Sequence, residues 1–208
     1  VKTANRLVNG YLASRRVLSR IKPHMIVGFG GYPTVPPLLA AAHKNVPAIL
    51  HEQNAVIGRA NKFLASKVKC VATGFQLRSE ADLKGVKVEM TGNPLRALAH
   101  KAAKVPFATR SAADPFNLLV FGGSQGARFF SEILPDALAL VGEKLRRQLV
   151  VTLQSRPEDK IKAEQALEKL NIASNVQSFF TDLPQKIAGS QLVMCRSGAS
   201  SVAELALI

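Results

Sequence analysis

The spacing of apolar positions changes repeatedly along the chain, and each change marks an element. Leu7, Tyr11, Leu12, Leu18 and Ile21 recur at helical spacing, predicting a helix over 3–21 that Pro23 closes. Residues 25–27 form a short apolar strand bounded by Gly28, Gly30 and Gly31, and Pro36 suits the first turn of the next helix. Apolar runs at 48–51, 70–73 and 86–91 read as further strands, with a helix over 58–66 and a closing turn at Gly92-Asn93-Pro94.

Residues 101–115 carry Lys, Ala and Pro without a period, and 105–115 reads as a linker. Strands at 117–121, 148–153, 176–180 and 191–195 then alternate with helices running to about 141 and over 157–170, and a last helix starts at Ala199. Strand–helix repeats with short, fully apolar strands imply parallel sheets with helices on both faces. The expected fold class is therefore α/β. It comprises two Rossmann-like, doubly wound domains (1–104 and 116–208) facing a cleft, where ligands bind beyond the carboxyl ends of the strands. Val1 opens inside a helical pattern and the last helix stops on apolar residues, so both domains are expected to be incomplete and the chain cut at both ends.

Charge divides the chain in the same place. Residues 1–110 hold 18 Lys and Arg against 4 Asp and Glu, while 111–208 hold 10 of each, so the net charge of +14 lies in the first half. A basic module suits nucleic acid, an anionic membrane or a phosphorylated substrate. Few aromatics and no nucleic-acid motif argue against nucleic acid as the partner. On the first helix Arg6, Arg16 and Arg20 lie off the apolar stripe with Arg15 at its edge, a pattern that suits either anionic lipid or a packed helix with a solvated basic face. No run approaches the roughly 18 apolar residues that cross a bilayer. Cys70 and Cys195 form no CxxC pair and His24, His43, His51 and His100 have no metal spacing, so neither a metal nor a cofactor is expected.

Candidate chemistry follows the strands. Gly122, Gly123, Ser124, Gln125 and Gly126 form a glycine turn that opens a helix, where free amides and the helix dipole attract phosphate. The run also fits the G-x-S-x-G nucleophile elbow, but every histidine precedes Ser124, against the order a hydrolase triad needs. After the last strand, Ser197, Gly198, Ala199, Ser200 and Ser201 offer a second amide-rich helix start, and Glu204 could accept from two vicinal ribose hydroxyls. His51, Glu52, Gln53 and Asn54 put four polar residues at a strand end, and Arg96 stands at the domain junction, able to pair with a diphosphate or brace the hinge.

Five blocks in order carry a resemblance: Gly28-Phe29-Gly30-Gly31-Tyr32, His51-Glu52-Gln53-Asn54, Gly92-Asn93-Pro94-Leu95-Arg96, the turn at 122–127, and Cys195-Arg196-Ser197-Gly198-Ala199. Together they resemble the MurG family over nearly the whole chain. The resemblance implies a GT-B fold and an inverting, metal-independent transfer of N-acetylglucosamine from UDP-N-acetylglucosamine to the C4 hydroxyl of the muramoyl sugar of lipid I, giving lipid II. It implies peripheral attachment to the cytoplasmic face of the bacterial inner membrane, with the basic half toward anionic lipid. Donor contacts would fall at Asn54, Arg96, Ser124, Gln125, Phe180, Ala199, Ser200, Ser201 and Glu204, with the Phe180 backbone on uracil and Glu204 on ribose. Gly122, Gly123, Gly126, Ser197 and Gly198 would cradle the diphosphate. The family's glycine loop with its candidate base histidine would lie upstream of Val1 and a donor-binding Gln beyond Ile208, so this polypeptide alone is expected to be inactive. An epimerase of the same fold is the nearest alternative, and His51 reads as a structural polar residue rather than the base.

Overall fold

The computed structural model describes residues 2–79, 81–107, 109–111 and 114–208, with side chains for all of these except 2–4, 82 and 124–127. The chain divides into two compact units, Val1–Pro94 and Leu95–Ile208.

In the first unit, strands β1 (Ile26–Gly28), β2 (Ala48–Glu52), β3 (Cys70–Thr73) and β4 (Val88–Met90) form a parallel sheet in that spatial order. Helices α1 (Lys2–Ile21), α2 (Val35–His43) and α3 (Arg59–Leu64) connect or flank them. Leu50 and Val71 of the sheet close against Leu38 of α2 and Leu64 of α3, all essentially inaccessible to solvent. Full burial of each such side chain contributes roughly 1.5–3 kcal/mol.

Helix α1 presents a different stripe from the expected one. Tyr11, Ser14 and Leu18 face inward, and Leu18 packs on Ala40 and Ala41 of α2. A Cβ on Gly10 would lie 3.3 Å from the Pro36 ring, so a glycine there permits the close helix approach. Leu7, Leu12 and Ile21, expected on the buried face, are exposed. The contact on α2 runs through Gly10, Tyr11 and Leu18.

In the second unit, β5 (Phe116–Phe121), β6 (Leu149–Gln154), β7 (Ala173–Gln177) and β8 (Leu192–Cys195) form a parallel sheet in the order β7-β6-β5-β8. Helices α4 (Ala97–Ala102), α5 (Gly123–Ala139), α6 (Glu143–Arg146), α7 (Pro157–Lys169), α8 (Leu183–Ala188) and α9 (Ala199–Leu207) complete it. Residues of β5 alternate between two cores. Leu118 and Val120 pack with Leu134 and Leu167, while Leu119 and Phe121 pack with Ile187 and Leu205. Helices therefore cover both faces, as a doubly wound sheet requires. The chain turns back across β5, with β6 and β7 on one side and β8 on the other. A topological switch point of this kind opens a crevice between β5 and β8 at their carboxyl ends.

Two expectations shift. The strand expected at 176–180 lies at Ala173–Gln177, because this polar edge strand buries only Val176 while Phe179 and Phe180 belong to the loop beyond it. The division between units falls after Pro94, ahead of the linker expected at 105–115. The short helix α4, not expected from the sequence, packs on α8 and α9 and so carries 97–102 into the second unit. Among the described residues no helix is long and apolar enough to cross a membrane.

Candidate functional site

A cavity of about 710 Å³ opens at the switch point of the second sheet. Gly122 and Gly123 line it after β5, and Arg196, Ser197 and Gly198 line it after β8. Gln154 at the end of β6, the residues 178–180 after β7, Leu183, Ser201 and Arg96 complete the wall. Every strand of the sheet therefore contributes its carboxyl end.

Local sequence explains each edge. Gly123 has φ +64°, a left-handed conformation that costs other residues roughly 1–2 kcal/mol. It lets β5 turn at once into α5. Gly198, extended at φ −67° and ψ 144°, is the N-cap of α9, and its carbonyl already accepts from the Val202 amide. The first amides of α9 thus lie beside Ser197 and Ser201 with the positive end of the helix dipole behind them. The turn after β5 is not equally free: the Gly123 amide donates to Gln154 Oε1 at 3.1 Å.

Two arginines edge the cavity, and one of them is engaged. Arg96 Nε and Nη2 donate to the two carboxylate oxygens of Glu204, each at 2.7 Å. Glu204 is nearly buried, with 7% of its side chain exposed, whereas Arg96 is 48% exposed. The bond to Glu204 holds the Arg96 guanidinium above its ordinary pKa. Arg196, which also lines the cavity, is exposed.

Of the residues singled out from the sequence, the cavity brings together Arg96, Gly122, Gly123, Phe180, Ser197, Gly198 and Ser201. Phe180 is 4% exposed, with Lys186 Nζ 5.1 Å from its ring centroid. Ala199, Ser200 and Glu204 belong to α9 but do not line the cavity. The side chains of Ser124, Gln125 and Gly126 lie outside the described residues. Among the described residues no histidine lines the cavity. Gln154, Ser178 and Phe179 were not anticipated, whereas Arg196 belongs to the block singled out after the last strand. Gln154 ends a strand, the one signal that could have flagged it.

Asn54 lies in the first unit, in the loop after β2. That loop is built on the buried carboxylate of Glu52. Glu52 Oε1 accepts from the Asn54 amide at 2.9 Å and from Asn54 Nδ2 at 3.2 Å, and Oε2 accepts from the Gly58 amide and Asn61 Nδ2, both at 2.8 Å. Burial pushes this carboxyl up, but the amides of Gly58 and Asn54 and the side chains of Asn61 and Asn54 outweigh it and hold it below the usual range. His51 is also buried. Its Nε2 meets the Gly92 carbonyl at 3.0 Å and the Phe29 ring lies 5.5 Å away, consistent with a structural role.

Residues 1–73 match the glycosyltransferase family 28 N-terminal domain, and residues 117–208 match the family's C-terminal domain. The chain belongs to glycosyltransferase family 28. Relatives in the family include the UDP-N-acetylglucosamine--N-acetylmuramyl-(pentapeptide) pyrophosphoryl-undecaprenol N-acetylglucosamine transferase of Sinorhizobium medicae. It is 52% identical over 207 residues, which are 100% of this chain and 55% of the relative. The protein of the same name from Brucella abortus is 48% identical over 208 residues, again 55% of its length. The chain thus spans about half the length of the curated relatives it matches.

Among solved structures, MurG of Acinetobacter baumannii superposes with a TM-score of 0.69 at 26% identity, covering 96% of this chain and 54% of that one. The UDP-GlcNAc 2-epimerase of Neisseria meningitidis, solved with UDP-GlcNAc, superposes at 0.64 with 16% identity, covering 97% and 61%. These likenesses bear out two parallel-sheet α/β domains of GT-B type for this family 28 chain.

Proposed function

We propose that the protein containing this chain transfers N-acetylglucosamine from UDP-N-acetylglucosamine to the C4 hydroxyl of the muramoyl sugar of lipid I, giving lipid II. The observation that carries the reading is the cavity at the switch point of the second sheet, where the α9 amides and two arginines converge. Negative charge develops on the departing UDP diphosphate, and preorganised amides and guanidinium groups stabilise such charge best. Ser197, Gly198, Ser201 and the glycine turn would hold the diphosphate, and the backbone at Phe180 would meet uracil. Glu204 would exchange its Arg96 partner for the ribose hydroxyls, releasing a cation toward the phosphates. Ser124, Gln125, Gly126, Ala199 and Ser200 are assigned to the same donor, and Asn54 is the first unit's candidate. Relatives at 48–52% identity bearing the transferase name support the choice of sugar and acceptor. The transfer would invert the anomeric centre and use no metal, and no base is assigned.

Attachment to anionic lipid belongs to the same reading. Helix α1 exposes Leu7, Val8, Leu12, Val17 and Ile21, interspersed with Arg6, Arg15, Arg16 and Arg20. Such a face partitions into a headgroup layer with about 1 kcal/mol per basic residue. On this reading the protein would sit peripherally on the cytoplasmic face of the bacterial inner membrane.

The test is radiolabelled transfer by the complete reading frame that encodes these residues. Label should pass from UDP-N-acetylglucosamine to a lipid I acceptor. Conversion of the nucleotide sugar without acceptor would favour an epimerase, and failure to bind it would refute both.

A further inference from the structure

Gln154 ends β6 with its side chain at the cavity, and both ends of its amide are used. Oε1 accepts from the Gly123 amide at 3.1 Å, and Nε2 donates to the Ser178 carbonyl at 3.2 Å. These partners belong to the turns that follow β5 and β7. One residue later the Ser155 amide donates to the Gln177 carbonyl at 3.0 Å, the last rung between β6 and β7. Where backbone pairing stops, one side chain therefore ties three strand ends together. An uncharged carboxamide can accept at one end and donate at the other; a carboxylate could keep the first bond but would repel the Ser178 carbonyl.

We propose that Gln154 is a positioning residue for the nucleotide donor. It fixes the separation between the glycine turn at 122–123 and the loop at 178–180, and by holding that loop it sets which nucleobase the cavity accepts. The inference rests on the donor-site reading above. While Gln154 is in place the Gly123 amide is occupied, so the diphosphate's backbone donors come chiefly from the start of α9. Gln154 thus acts through the loops rather than by touching the reacting atoms.

The test titrates the protein encoded by the complete reading frame with UDP and with CDP by calorimetry, as wild type, Gln154→Ala and Gln154→Glu. The expected result for Gln154→Ala is UDP binding weakened about tenfold, from two lost hydrogen bonds. The preference for UDP over CDP should shrink with it, and the melting temperature should stay within a few degrees because the bonds lie at an exposed edge. Gln154→Glu should bind UDP more weakly still. Wild-type UDP affinity and selectivity in either variant would overturn the inference and leave the donor site standing. Equal losses for UDP and CDP that track a fall in melting temperature would also overturn it, by making Gln154 a strut of the fold. Absence of UDP binding by the wild type would overturn the donor reading itself and this inference with it.

Discussion

Arg96 and Glu204 come from opposite ends of the second unit and meet through two parallel 2.7 Å hydrogen bonds, joining the start of α4 to α9. A fork-to-fork pair of this kind fixes direction as well as distance. From the sequence alone, Arg96 is expected to pair with a diphosphate or brace the hinge, and Glu204 to hold the ribose hydroxyls. On the proposed reading their pairing would make the two tasks one equilibrium, in which a donor that drew away the carboxylate would free the guanidinium.

Replacing Glu204 by Ala should weaken UDP-N-acetylglucosamine binding at least about tenfold, from the loss of charged hydrogen bonds. The stability cost should be small, about 1 kcal/mol, since Arg96 is half exposed and finds water instead. Calorimetry and thermal melts on the same preparation separate the two effects. Unchanged donor affinity would remove Glu204 from the site and leave the pair as a brace between helices.

Glu52 supplies a pH test. Its folded pKa lies below the usual 4.5, so its stabilising effect is complete above that value and is lost as pH falls through the lower folded one. Glu52→Gln should cost about 2 kcal/mol at neutral pH and should flatten the acid limb of the first unit's stability. Hydrogen exchange over residues 50–61 between pH 3 and 7, on the order of the carboxylate range, reads both. An acid limb identical to the wild type's would show that another group carries it.

Two glycines separate fold from site. A Cβ on Gly28 would fall 2.6 Å from both Leu38 Cδ1 and Thr34 Cγ2, so Gly28→Ala should destabilise the first unit by about 1–3 kcal/mol and leave UDP affinity alone. A Cβ on Gly123 would meet nothing within 4 Å, but its φ of +64° strains alanine. Gly123→Ala should therefore cost about 1–2 kcal/mol and also loosen nucleotide binding. Identical donor affinity in the two variants would contradict the placement of the site.

Changing Arg16 and Arg20 of α1 to Gln should lower partitioning onto vesicles containing anionic lipid by roughly 30-fold, at about 1 kcal/mol per charge. Added salt should shrink the difference. Equal partitioning in co-sedimentation would remove this helix face from the membrane reading.

Most strands were legible because buried parallel strands are short apolar runs, and 70–73 was read to its ends. Residues 173–177 were not, because Ala-Ser-Asn-Val-Gln is polar at an edge and only pairing with β6 makes it a strand. Helix α4 was missed for a similar reason. Its six residues show little period, and its partners α8 and α9 lie far along the chain. At the site, glycine and serine turns after strands announced themselves, since few other sequences leave amides free. Gln154 did not: a glutamine at the end of a strand acquires its role only from the Gly123 amide and the Ser178 carbonyl that folding brings to it.

The most direct measurement is an NMR titration of the isotope-labelled complete protein with UDP-N-acetylglucosamine. Saturable shifts should cluster at the amides of 122–123, 178–180 and 197–201, with UDP competing for the same site. Shifts confined to the first unit, or none at concentrations far above those at which nucleotide sugars normally bind, would contradict a donor site at the β5–β8 switch point.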